Sequence, residues 1–194
     1  LKCIKPINMI KNIITLGFVS CMTLVGMAQE DDNNLVENPS FEVADKVKKL
    51  NKLKKIEVAN GWSSPTAMKA DLYSTQAKEV ATIPNNKQGR EFPLGAEEGN
   101  YAGIVAYSYN NKEPRTYLQT ELIGPLKKDV EYCVKYHVSL SDLSKYGVNN
   151  LGMYISKDPI EIETKEDIIF QKEKELAKVV IPLNDEVKNA RYGF

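Results

Sequence analysis

Few side chains in this sequence are suited to covalent catalysis. His137 is the only histidine, and Cys133, four residues earlier in the same predicted strand, does not form a nucleophile–base pair with it. The G-x-S-x-G pattern of a serine nucleophile is absent. Glu131 and Asp142 supply two carboxylates, but sequence separation does not fix the distance between them, on which a glycosidase pair depends. The sequence therefore predicts no enzymatic activity and no catalytic residue.

Side chains for noncovalent recognition are more plentiful, because tyrosines are frequent in the second half of the chain. Tyr107, Tyr109 and Tyr117 lie near a predicted turn, together with Arg115 and Gln119. Flat rings beside hydrogen-bonding groups are what a glycan site uses. The same mixture is also typical of an ordinary exposed sheet face. These five residues are the candidate ligand-binding site.

Two further residues have a functional and a structural interpretation. Trp62, the only tryptophan, follows Gly61 at a predicted strand start, where it could stack on a sugar ring or anchor the core. We favour the core. Cys133 lies in an alternating segment and is predicted to be a small buried apolar residue. The alternative for Cys133 is a disulfide partner beyond Phe194.

Short strands are predicted to position these residues. The segment EYCVKYHVSL, residues 131–140, has the clearest period of two, with Tyr132 and Tyr136 on the apolar side that would face the core. The other predicted strands are a short first strand at 35–41, interrupted by a proline turn, and the segments 101–109, 115–122, 149–156, 160–162, 168–170 and 177–181.

Two segments read differently from strands. Residues 46–55 carry six lysines and are predicted to be a short helix or a loop on the surface. Residues 63–100 are rich in Pro, Gly and Asn and are predicted to be mostly loop, of a length that is often a binding loop. Short strands with turns between them, and almost no helical period, predict an all-β fold, an antiparallel β-sandwich.

The first 28 residues are predicted to be upstream residues followed by a cleaved signal peptide. A basic residue, Lys11, precedes an apolar run over residues 13–25, and small residues lie just before Gln29. The apolar run is too short for a comfortable transmembrane helix. A lipoprotein signal ending at Cys21 is the alternative.

Residues 29–194 are expected to form one domain, since about 166 residues can enclose a core. Three lysines leave with the signal, and taking these from the 26 basic residues leaves 23 against 26 acidic residues, a net charge of −3. This balance provides no basic face for nucleic acid. Of the three cysteines only Cys133 lies in this segment, so it cannot close an internal disulfide.

The ordered motifs of the chain resemble the N-terminal domain of OmpA-family outer-membrane proteins of the Bacteroidota, a jelly roll similar to carbohydrate-binding modules and galactose-binding-like domains. The motifs are NLVENPSFE, ANGWSSPT, IPNN, GNYAGIVAY, YLQTEL, PLKKDVEYCVKYHVSLSD and NNLGMYISK, and they cover about residues 34–156. In that family a C-terminal OmpA-like module that binds peptidoglycan follows. The sequence contains no such module, so the resemblance implies a fragment whose sandwich lacks its last strand or strands.

The resemblance implies a location, a function and a metal. It implies an exported protein, periplasmic or associated with the outer membrane, with a non-catalytic carbohydrate-binding role and peptidoglycan contact only through the missing module. The alternative is a structural domain that docks onto proteins of an envelope, secretion or gliding complex. Related jelly rolls hold a structural calcium near the first strand, which here points to Asn38 and Glu42. No other cofactor is expected.

Overall fold

The computed structural model describes residues 34–93, 99–148, 151–164 and 180–182. Within these ranges the chain forms short β-strands and single turns of 3₁₀-helix, without an α-helix and without a closed barrel. The prediction of a β-rich chain is therefore confirmed. Within the described residues, no helix is long and apolar enough to cross a membrane.

The described residues divide into two units. Leu126–Tyr136 and Asn34 belong to the smaller unit, while Leu35–Pro125 and the residues from His137 onward belong to the larger one. All of the strands lie in the larger unit. The predicted signal peptide and the predicted strand at 168–170 lie outside the described residues.

Eight strands occur among the described residues, and they pair two by two, all antiparallel. Strands β1 (Trp62–Ser63) and β6 (Gln119–Thr120) form one pair, and β2 (Asp71–Ser74) and β5 (Asn100–Gly103) form the second, with Leu72 opposite Ala102. A hairpin joins β3 (Asn85–Asn86) to β4 (Gly89–Arg90), and β7 (Gly152–Tyr154) pairs with β8 (Val180–Pro182). Isolated bridges extend this pairing. One of them joins Val36, in the predicted first strand, to Leu122.

The core is built around β2, in a segment that the sequence predicted to be mostly loop. Leu72 and Tyr73 are buried. The residues of the buried cluster are Leu50, Ile56, Ala59, Ala70, Leu72 and Ala81. The prediction of a loop over residues 63–100 is thus wrong at this strand. Both sides of β2 are buried, so the strand lacks the polar alternation by which half-buried strands are recognised.

The lysine-rich segment at 46–55 also contributes to the core. Its only regular element is a 3₁₀ turn at Val47–Lys49. Leu50 follows it, is 5% exposed, and accepts a backbone hydrogen bond of 2.7 Å from Lys78. The lysines are exposed, as expected, but Leu50 anchors the segment to the core.

The most clearly alternating segment, 131–140, is not a strand. Tyr132 and Tyr136, predicted to face the core, expose 36% and 41% of their surface, and Val138 exposes 42%. Cys133 is also exposed, which corrects its predicted burial. Alternation specifies a strand only where a neighbouring segment completes the ladder and a second layer covers one face. In the described part of the chain, this segment belongs to no such ladder.

Candidate functional site

Among the described residues, an open cavity of about 390 Å³ in the larger unit is a candidate binding site. We call it the tyrosine cavity. Its lining residues come from two loops and are Tyr107, Ser108, Tyr109, Lys112, Leu143, Lys145 and Tyr146. The volume lies at the lower end of the range typical of small-molecule sites.

Three tyrosine rings meet at this cavity. The ring of Tyr146 lies edge-on to that of Tyr107, with centroids 5.3 Å apart and an interplanar angle of 78°. It lies nearly parallel to the ring of Tyr109, at 12° and 6.5 Å. The residues Tyr107, Tyr109 and Tyr146 remain 45%, 56% and 45% exposed.

The first wall of the cavity is the loop from Val105 to Thr116, which is closed by hydrogen bonds at its base and again nearer its tip. At its base, the backbone nitrogen of Val105 donates to Thr116 Oγ1 (2.9 Å), and the nitrogen of Thr116 donates to the carbonyl of Val105 (3.1 Å). Higher in the loop, Ser108 Oγ donates to the carbonyl of Glu113 (2.6 Å) and accepts from its nitrogen (3.0 Å).

The tip of this loop turns tightly because two asparagines adopt positive φ. Asn110 and Asn111 have φ of 53° and 50°, a region that asparagine enters more readily than other residues with a side chain. The resulting 3₁₀ turn, Tyr109–Asn111, is followed at once by Lys112. The local sequence therefore brings an aromatic ring and an ammonium group to the same wall.

The second wall is the segment 141–146, held by the β3–β4 hairpin. Arg90 donates its backbone N–H to Asp142 Oδ2 (3.0 Å), and Asp142 donates its own to Glu91 Oε1 (3.0 Å). Leu143 donates to the carbonyl of Gln88 (3.0 Å). These bonds join residues more than fifty positions apart and fix the wall that carries Leu143 and the residues up to Tyr146.

Gly89 permits the hairpin to approach this wall. Its φ is +131°, and a Cβ at this position would overlap the Cβ of Asp142. Both observations exclude any side chain here without displacement of the backbone. The second wall therefore depends on a glycine that does not itself line the cavity.

The charged residues that line the tyrosine cavity are both basic. Lys112 and Lys145 line it, and none of its seven lining residues is acidic. Both lysines are exposed, and no ion pair engages either of them in the described part of the chain. An ammonium group is a compact donor of up to three hydrogen bonds, suited to hydroxyl and anionic oxygens.

The cavity contains two of the five predicted ligand residues, Tyr107 and Tyr109. Arg115 is exposed and does not line it. Tyr117 is half-buried, and its carbonyl accepts from Ser64 Oγ (2.8 Å).

Gln119, the fifth predicted ligand residue, has a structural role. Its Nε2 donates to the carbonyl of Ile160 (3.3 Å), and its Oε1 accepts from the nitrogen of Ile160 (3.0 Å). A primary amide paired twice with one backbone residue in this way behaves like an added rung of sheet. Both polar atoms of its side chain therefore make a hydrogen bond within the protein.

Sequence reasoning did not assign Leu143, Lys145 and Tyr146 to the site. Tyr146 stands out in the sequence as a tyrosine, but it lies outside the turn that contains Tyr107 and Tyr109. Lys112, only three residues from Tyr109, could have been found from its position in the turn.

The predicted metal residue Asn38 has its side chain engaged by the backbone on three sides. Its Nδ2 donates to the carbonyls of Val43 (2.8 Å) and Asn60 (2.9 Å), and its Oδ1 accepts from the nitrogen of Val43 (3.1 Å). The carbonyl of Asn38 accepts from the indole N–H of Trp62 (2.7 Å). Phe41 packs on the same indole, with ring centroids 4.7 Å apart.

These contacts explain why the segments NPSFE and NGW occur together. Asn38 closes the first turn, and Trp62 packs against the core, as predicted for a core anchor. The hydrogen bonds of Asn38 join the two segments, which are 22 residues apart in the sequence.

Glu42, the second predicted metal residue, ties the first turn to β5. Its Oε1 accepts from the nitrogen of Asn100 (2.9 Å), and Asn100 Nδ2 donates to the carbonyl of Phe41 (2.8 Å). Gly99 has φ of +130°, and a Cβ placed there would lie 2.6 Å from Glu42 Oε1. The carboxylate thus occupies the space that any other residue at position 99 would need.

Calcium needs six to eight oxygen ligands, and Asn38 Oδ1 and Glu42 Oε1 already accept backbone hydrogen bonds. No group of three or more acidic, histidine or cysteine side chains that could hold a metal occurs among the described residues. The observed contacts give both side chains structural roles that need no ion. Calcium at this position stays a prediction.

A second polar network stabilises the β2–β5 pair. Tyr73 stacks on Tyr101 with centroids 5.0 Å apart and donates to Asp71 Oδ2 (3.4 Å). Burial raises the pKa of Asp71 and that of Tyr73. Burial also raises the pKa of Tyr101 to about 12, although a hydrogen bond from Asn86 opposes the shift. None of these groups lines the tyrosine cavity.

Comparison of the chain with protein-family models, with curated proteins and with solved structures found no match. The functional proposal therefore depends on the geometry of the tyrosine cavity and on the motifs of the sequence.

Proposed function

We propose that this chain is a non-catalytic, carbohydrate-binding-like module that binds glycans at the tyrosine cavity. The observation that carries the proposal is the meeting of three exposed tyrosine rings from two separately anchored loops. A sugar ring presents an apolar face of C–H groups and a rim of hydroxyls. Tyrosine rings can pack on that face while phenol and ammonium groups reach the rim.

The wider setting belongs to the same proposal. The motif series supports a jelly-roll sandwich in an exported cell-envelope protein of the OmpA family, either periplasmic or associated with the outer membrane. In that setting, attachment to peptidoglycan would depend on a separate module, and this domain would contribute the glycan contact. The short antiparallel strand pairs and the β-rich core are consistent with a sandwich.

The test is a glycan array probed with the purified protein and two variants. Tyr109→Ala removes one ring of the cavity, whereas Tyr132→Ala makes the same change at an exposed tyrosine in the smaller unit. We expect Tyr109→Ala to weaken binding roughly tenfold, near the upper end of the about 0.5–1.5 kcal/mol of an aromatic contact. Tyr132→Ala should bind like the parent.

A well-folded protein that binds no glycan on the array contradicts the proposal. Glycan binding that Tyr132→Ala abolishes and Tyr109→Ala leaves intact contradicts the assignment of the site.

A second candidate function, protein docking, is favoured by a different observation. The segment Leu126–Tyr136 exposes four large apolar side chains, those of Leu126, Val130, Tyr132 and Tyr136. Apolar side chains that remain exposed close together are typical of interaction surfaces. Docking predicts that Tyr132→Ala, and not Tyr109→Ala, reduces chemical cross-linking of the protein to envelope proteins, so the same two variants separate the two functions.

A further inference from the structure

The charge of the tyrosine cavity narrows the class of ligand. Two lysines line the cavity from different loops: Lys112 follows Tyr109 by three residues, and Lys145 directly precedes Tyr146. The lining contains no carboxylate, and the described residues offer neither lysine an ion-pair partner. A site for neutral sugars commonly needs acceptors as well as donors, because each sugar hydroxyl both donates and accepts. Here the charged groups are donors only.

We propose that the tyrosine cavity selects anionic sugars, with the pyranose ring against the tyrosines and its acidic group between Lys112 and Lys145. This inference rests on the proposed glycan function and adds the charge of the ligand to it. A carboxylate, as in a uronic acid, and a sulfate ester present the same chemistry to a lysine, because an ammonium group acts as a point charge.

The loop anchoring supports this arrangement. Lys112 follows a turn closed by Ser108, and Lys145 follows residues bound to the hairpin, so the backbone on both walls is fixed before a ligand arrives. A fixed backbone lowers the ordering cost of binding, leaving only the lysine side chains to be immobilised.

The experiment measures affinity by calorimetry for three probes: a galacturonic acid trimer, a sulfated galactose trimer and the unmodified galactose trimer. The proteins are the parent, Lys112→Gln, Lys145→Gln and the double variant. Lys52→Gln is the matched control, since Lys52 is exposed in the lysine-rich segment and does not line the cavity. Glutamine removes the charge and keeps a hydrogen-bond donor, on a shorter side chain that also carries a carbonyl acceptor. The Lys52→Gln control makes the same chemical change away from the cavity.

We expect at least one charged trimer to bind more tightly than the neutral trimer. Each lysine substitution should cost roughly two- to fivefold for the charged probe, the range of an exposed ion pair, and little for the neutral one. The preference should weaken as salt is raised, because exposed charges are screened. Lys52→Gln should change nothing. The two charged probes show which acidic group is recognised.

Two results overturn the inference and differ in what else they overturn. Equal affinity for all three trimers, weakened in Tyr109→Ala but retained in the lysine double variant, refutes the preference for anionic sugars and leaves glycan binding standing. Binding of none of the trimers by a folded protein, together with an empty glycan array, refutes both.

Discussion

Replacement of Asn38 by aspartate separates the two roles that its position suggests. In the structure the amide nitrogen donates to two carbonyls, those of Val43 and Asn60, while the amide oxygen accepts one backbone N–H. Asn38→Asp keeps the accepting oxygen and replaces the donor by a second, negatively charged oxygen. That oxygen would face both carbonyls across hydrogen-bond distance.

The cost of Asn38→Asp follows from the bonds it removes. Two hydrogen bonds are lost at about 1 kcal/mol each, and acceptor–acceptor repulsion adds to this, for a total of about 2–4 kcal/mol. The carbonyl of Val43 keeps one donor, the nitrogen of Asn60 at 2.8 Å, which holds the estimate below the cost of two orphaned carbonyls. Asn38 is only 5% exposed, so water does not readily replace the lost donor.

The assay is urea unfolding of the parent, Asn38→Asp and Asn60→Asp, each with added calcium and with a chelator. Asn60 is the matched control, because it is exposed and takes part in this network through its backbone. Its change should stay within about 0.5 kcal/mol. A calcium ligand would behave in the opposite way, since aspartate binds the ion better than asparagine. An Asn38→Asp protein that equals the parent in stability and is further stabilised by calcium would refute the structural account.

Three further predictions concern backbone and burial. Gly99→Ala should lower the free energy of unfolding by about 1–3 kcal/mol, because the positive φ of Gly99 and the adjacent Glu42 carboxylate exclude a Cβ. The control, Gly124→Ala, should be nearly neutral because the space around Gly124 is open. Equal effects of the two substitutions in urea unfolding would be evidence against this reasoning. Gly89→Ala should displace Asp142 and weaken glycan binding along with stability, and unchanged affinity would show that the hairpin does not position the second wall. Burial raises the pKa of Tyr101 to about 12 from an ordinary value near 10, so the unfolded chain loses this proton first. Stability should therefore fall as pH rises from about 10 to about 12, and the fall should be smaller in Tyr101→Phe, as judged by urea unfolding across that range.

The sequence indicated the strand content of the fold more reliably than the position of its strands. The Gly61 turn into β1, the bridge at Val36 and the pairing strand near 152–154 agree with the predictions. Strand β2 was missed because burial on both sides removes alternation. The opposite error occurred at 131–140, where alternation is clear but, in the described residues, no ladder forms around it. Periodicity indicates which face of a strand would be buried and which exposed. Whether the strand forms depends on a ladder with segments that are distant in the sequence.

The residues of the candidate site also differ in how far the local sequence predicts their positions. The sequence predicted that Tyr107 and Tyr109 lie close together because they lie near one turn, and a turn is encoded locally. The position of Tyr146 next to these two residues depends on the hydrogen bond between Arg90 and Asp142, which are 52 residues apart. No local sequence pattern predicts that hydrogen bond. Gln119 was proposed as a ligand residue because glutamine suits glycans, but its amide pairs with the backbone of Ile160. Residue type indicates what a side chain could bind, whereas the fold decides what it does bind.

The most direct test of the central claim is an NMR titration that follows the tyrosine ring signals as a glycan selected on the array is added. The account predicts that the ring signals of Tyr107, Tyr109 and Tyr146 shift together and saturate at the affinity measured by calorimetry, while those of the buried Tyr73 and the exposed Tyr132 stay in place. Saturable shifts at Tyr132, with the three cavity rings unmoved, would contradict it.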